Sequence, residues 1–198
     1  MLISLLVLIL IIHIFFTRHV YEEGTRYYEG RVQNGKIVPR VYDISMKHLP
    51  DLSECGILRH ISNFIAFGLP FLFSWEVSKE FVSYFIVIMI LRHFVNSLTI
   101  LPKIKKKRDD LGGIYHYLVG HGFDLNFSGH FSSGLLLSYI LYNHKIITSI
   151  PLLILFNILN GLIIVLLRSH YTIDIITAFF VVTVIFQNRV RISFSPVF

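Results

Sequence analysis

Two histidines and an aspartate stand out in an otherwise greasy sequence. One histidine lies in GHGFDLNFSGHFSSG (residues 120–134), which holds His121, Asp124, Ser128, Gly129 and His130. The other lies in RSHYTIDI (168–175), with Arg168, His170, Tyr171, Thr172 and Asp174. His170 and Asp174 are four apart, a spacing that stacks side chains on one helix face. An aspartate in an apolar helix is costly unless paired, and a hydrogen bond from one ring nitrogen of His170 satisfies it. That bond fixes the tautomer and leaves the other nitrogen as a nucleophile, the base–orienter logic of catalytic triads. His130, arriving from another element, then serves as general acid toward a leaving oxygen. The chemistry this suits is phosphoryl transfer through a phosphohistidine, which depends on positioning and on positive charge around the phosphate oxygens. Arg92, Arg168, the basic run at 103–108 and backbone N–H groups around Ser128 and Gly129 are the candidates to supply it. The rival reading of the same residues is a histidine–carboxylate metal site. It ranks second, because further carboxylates are sparse and no cysteine is near, and no metal or other cofactor is expected.

The remaining histidines carry less. His13, His48, His60, His93 and His144 read as hydrogen-bonded interfacial residues. Ser132, Ser133 and Gly134 read as small residues that let helices pack closely.

The elements that must position these groups look membrane-embedded. Mean hydropathy is +0.66 and only 15% of the 198 residues are charged, against roughly 25% for soluble domains. Apolar blocks near spanning length recur between short polar breaks. The first, LISLLVLILIIHIFF, has no basic residue ahead of it and no small-residue cleavage site behind, so it is expected to anchor rather than be cleaved. The sequence therefore predicts an all-α integral membrane protein, a bundle of about six transmembrane helices, with five as the alternative count. Its parts are an anchor helix (1–17), a polar extramembrane loop (18–56), a catalytic core (57–188) and a C-terminal tail (189–198). Within the loop, YYEGRVQNGKIVPRVY carries weak signals of a hairpin across Asn34-Gly35. The single cysteine, Cys55, excludes an intrachain disulfide.

With six helices, loops 1, 3 and 5 share one side, and His130 and His170 head helices that enter from that side. Most lysines and arginines lie there too, which by the positive-inside tendency would make it cytoplasmic. The formal charge of +6 sits beside apolar runs, where it suits lipid phosphates and topology control rather than nucleic acid.

FSGH followed forty residues later by HYTID resembles the sphingomyelin synthase family, a branch of the type 2 phosphatidic acid phosphatase superfamily. Asp124 fits the family's Gly-Asp-x-x-Phe-Ser-Gly-His pattern, although Phe123 replaces its glycine. HLPD (48–51) resembles the Leu-Pro-Asp element before the second helix, and LRHFVNSLTILP (91–102) the Arg-containing third helix. The resemblance implies six helices and a triad with His170 as nucleophile, Asp174 as orienter and His130 as acid, no metal being required. It implies a phosphocholine-type headgroup moved from a phospholipid donor to a lipid acceptor, ceramide or diacylglycerol. It also implies a lumenal or exoplasmic site, the reverse of the charge count. The Lys-x6-Arg-Pro element of the superfamily's lipid phosphatases is missing from KIKKKRDD, and Arg168 stands only two residues before His170. Both departures favour the synthase branch. The alternatives are a lipid phosphate phosphatase or phospholipase C-like hydrolase, and a non-catalytic membrane protein of the same fold.

Overall fold

The computed structural model describes residues 2–33, 41–102, 104 and 125–193. The elements, in order, are α1 (Leu2–Gly24), α2 (Gly30–Gln33), α3 (Ile44–His48), α4 (Gly56–Asn63), α5 (Trp75–Leu98), α6 (Gly129–Asn143), α7 (Ile150–Leu166) and α8 (Thr172–Gln187). A π turn, Thr25–Glu29, joins α1 to α2. A π turn, Phe64–Gly68, and a 3-10 turn, Leu69–Leu72, extend α4. No strand occurs among the described residues.

The helix starts are written in short-range chemistry. Ser74 caps α5 by accepting the Val77 N–H, and Ser128 caps α6 by accepting the Phe131 N–H at 3.2 Å. Pro151 occupies the first turn of α7, where its missing N–H costs nothing. The end of α7 is a Schellman turn. Ser169 N–H donates to Ile164 O and Arg168 N–H to Val165 O, with Arg168 in the left-handed region at φ 53°.

Helix directions alternate. At one end Arg92 and Asn96 of α5 bond to residues 126–127, and Leu52 N–H donates to Leu166 O. At the opposite end Glu80 binds both His144 and Arg191, and Ile192 N–H donates to Ser83 O. The described residues just before α4, just before α6 and between α7 and α8 therefore share one end. The core sits where α5, α6 and α8 meet, with Val77, Phe81, Phe127, Leu136, Ile140, Ala178 and Val182 among its buried members.

Two expectations for the N-terminal region change. The helix expected to end at residue 17 runs to Gly24 and, through the π turn, to Gln33. Arg18–Glu22 and Glu23–Arg26 ion pairs support helix in this polar stretch. The first limb of the expected hairpin is thus helical, and Asn34-Gly35 lies outside the described residues.

Among the described residues one helix, α5, is long and apolar enough to cross a membrane. The stretch Gly56–Leu72, α7 and α8 are apolar but shorter. Their outer faces carry exposed large apolar side chains: Ile154, Leu155 and Ile158 on α7, and Ile176, Phe179 and Phe180 on α8.

Candidate active site

Asp174 is the hub. Its Oδ2 lies 3.2 Å from His170 Nδ1 and accepts the Tyr171 N–H at 2.9 Å. The i, i+4 pair forms, but not by stacking on a helix face as expected. His170 precedes Tyr171, the N-cap of α8, and lies in the bend outside the helix. Asp174, at the third helical position, reaches back to the cap, as acidic side chains do at helix starts. One oxygen thus holds both the imidazole and the turn that carries it. Histidine and aspartate are both buried, and Asp174 Oδ1 has no hydrogen-bond partner.

The backbone joins this unit to the second histidine. Ser128 N–H donates to Asp174 C=O at 3.2 Å, stitching the start of α6 to the first turn of α8. His130, the second residue of α6, therefore lies at the same end of the bundle as His170. Its Nε2 is 2.9 Å from Asn63 Oδ1, and its ring meets Phe67 edge-on with centroids 5.2 Å apart. An amide oxygen only accepts, so Nε2 is the protonated nitrogen in this pair.

Arg92 is buried beside the same junction. Its Nε donates to Phe127 O at 3.1 Å, and a Cβ placed on Gly129 would lie 3.5 Å from that nitrogen. The guanidinium is held against the Phe127–Gly129 backbone, a fixed positive charge at the start of α6.

Ser128 and Arg168, expected at the phosphate, each make bonds of their own. The Ser128 hydroxyl caps α6 and its N–H is spent on Asp174. Gly129 sits in the first turn of α6, and a Cβ there would make only ordinary contacts. Arg168 Nη2 donates to Met46 O at 2.8 Å and Leu49 O at 2.7 Å, with Asp51 at 4.0 Å from its Nε. Of its nitrogens, Nη1 is buried without a partner. Asp124, His121 and most of the 103–108 run lie outside the described residues. No group of three or more histidine, cysteine, aspartate or glutamate side chains suited to a metal occurs among the described residues.

Two contributors were missed. Asp43 caps α3 by accepting the Met46 N–H, and it also accepts the N–H and hydroxyl of Thr172 at the head of α8. Burial pushes its carboxyl up, but hydrogen bonds from Thr172 and Met46 outweigh that and hold it below the usual carboxylate range. An aspartate directly before ISMKH is a legible N-cap signal; its second helix, far along the chain, is not. Asn63 gives no local signal.

Residues 123–190 match a family model described as PAP2 superfamily C-terminal, which supports the type 2 phosphatidic acid phosphatase superfamily. The matched stretch holds His130, His170 and Asp174. No curated protein matches the chain.

Proposed function

We propose that this is a multi-pass membrane enzyme that moves a phosphocholine-type headgroup from a phospholipid to a lipid hydroxyl, in the manner of the sphingomyelin synthases. His170 Nε2 attacks the donor phosphorus as the bond to the diacylglycerol oxygen breaks, and His130 gives that oxygen its proton. The acceptor hydroxyl then attacks the phosphohistidine while His130 takes the hydroxyl proton, and His170 is restored. Asp174 holds the imidazole and stabilises its charged form, and Arg92 offers positive charge to the phosphate oxygens.

The observation that carries this reading is the His170 Nδ1–Asp174 Oδ2 bond in a buried site stitched to the α6 start. The apolar outer faces of α7 and α8 support placement in lipid. Hydrolysis of lipid phosphates is the second reading. It draws on the family match itself, and water would replace the lipid acceptor at the same phosphohistidine.

The test is incubation of the purified protein with headgroup-labelled phosphatidylcholine and ceramide, diacylglycerol or water as acceptor, read by mass spectrometry. Labelled sphingomyelin or exchanged phosphatidylcholine is expected, dependent on His170. Released phosphocholine alone would select the hydrolase reading, and no turnover of phosphatidylcholine, nor of phosphatidic acid offered in its place, would overturn both.

A further inference from the structure

We propose that the apolar cavity beside His130 seats one acyl chain of the lipid substrate. This deepens the reading above and rests on it. The cavity has a volume of about 150 Å³. Ala66, Phe67 and Phe71 of the segment after α4 form one wall, and Phe81, Val82 and Ile86 of α5 another.

Its position follows from two side chains. Asn63 bonds to His130, and Phe67, four residues on, meets the His130 ring edge-on while lining the cavity. The segment from Asn63 to Phe71 therefore runs from the candidate acid along the cavity wall. On α5, Arg92 marks the level of the candidate site. The cavity residues Phe81 to Ile86 lie six to eleven positions earlier, or about 9–16 Å down the helix axis at 1.5 Å per residue. A lipid with its phosphate at the histidines would hang the upper-to-middle carbons of an acyl chain at that depth.

The lining favours hydrocarbon over water. No polar side chain borders the cavity, and an apolar space of this size accepts small hydrocarbons. An empty one leaves its walls without dispersion partners, which an alkyl segment supplies. Phe67 and Phe71 are 54% and 56% exposed, so the cavity opens sideways onto the outer surface of the bundle. A chain enters it laterally, from the bilayer.

The experiment uses the full chain in phosphatidylcholine nanodiscs containing a phosphatidylcholine with a diazirine in mid-acyl chain. After irradiation, cross-linked peptides are mapped. Expected is labelling within residues 66–86 that falls about tenfold in Val82→Trp, whereas labelling of the exposed α7 face at Ile154 and Ile158 persists. Ile86→Trp fills the cavity from another position and repeats the test. Labelling of residues 66–86 that neither variant reduces overturns the proposal. In turnover, the ratio of kcat/KM for a dipalmitoyl donor over a dihexanoyl donor should fall about tenfold in either variant, and an unchanged ratio again overturns it. His170→Ala separates the two readings. It should abolish transfer and leave the labelling of residues 66–86 in place. Transfer surviving in His170→Ala sinks the catalytic reading without touching the cross-link map.

Discussion

Asp43 Oδ2 accepts the backbone N–H of Thr172 at 2.6 Å, across 129 residues of sequence. The same carboxylate caps α3, so one side chain holds the starts of two helices, one of which carries Asp174. Arg168 grips Met46 O and Leu49 O from the other side. The stretch from Asp43 to Leu52 is thereby fastened to the turn that presents His170.

Replacement of Asp43 should loosen that fastening. An N-cap alone contributes about 1 kcal/mol, and Asp43 serves two helix starts, so Asp43→Ala should cost about 1–2 kcal/mol. The pH dependence has a definite sign. A carboxyl held below its usual range stabilises the fold above that range, and the contribution is lost as pH falls through the folded-state pKa. Thermal melts in detergent should show wild type losing stability on acidification from pH 5 downward, and Asp43→Asn showing less of that loss.

The triad makes a sharper demand on rate. His170→Ala should reduce headgroup transfer by at least about 10³-fold, and Asp174→Asn by about 10²–10⁴-fold, the scale on which orienting carboxylates act. Circular dichroism should remain helical in both. Transfer by Asp174→Asn within threefold of wild type would remove the orienter role.

Asn63 should act through His130. Losing the amide oxygen removes one hold on the imidazole's orientation, and misplacement of a catalytic group costs about 10²-fold in rate. Asn63→Ala is expected to lower kcat with little change in KM, and Asn63→Asp, which keeps an acceptor oxygen, to recover part of the loss. A rise in KM alone would mark Asn63 as a binding residue instead.

Arg168 occupies a left-handed backbone position that costs most residues about 1–2 kcal/mol and glycine little. Arg168→Gly should therefore keep the end of α7 intact yet release residues 46–49. Limited proteolysis should cut the variant in the 43–52 stretch faster than wild type, and equal rates would show that the guanidinium contacts hold nothing.

Close packing of α6 on α7 gives a coupled prediction. A Cβ on Gly134 would come within 2.5 Å of Asn160 Nδ2, and Asn160 is buried with both amide atoms unpaired. Gly134→Ala should destabilise by about 1–3 kcal/mol, as overpacked sites do. Asn160→Ala opens the space, so the double variant should fall short of the summed losses in thermal melts.

The sequence by itself determined the local elements and the chemical pair. Ser128 before a helix, Pro151 in a first turn and the apolar blocks are short-range signals, and each states its helix because its partners lie within a few residues. The i, i+4 spacing announced His170 with Asp174 for the same reason, though the bond forms through a helix cap rather than along a face. Tertiary structure decided the rest. That Ser128 and Arg168 serve as fasteners, that Asp43 caps a helix 129 residues away, and that Asn63 and Phe67 flank His130 all depend on contacts between distant segments. Such contacts are selected by packing and by the need to satisfy buried polar groups, and no local spacing records them.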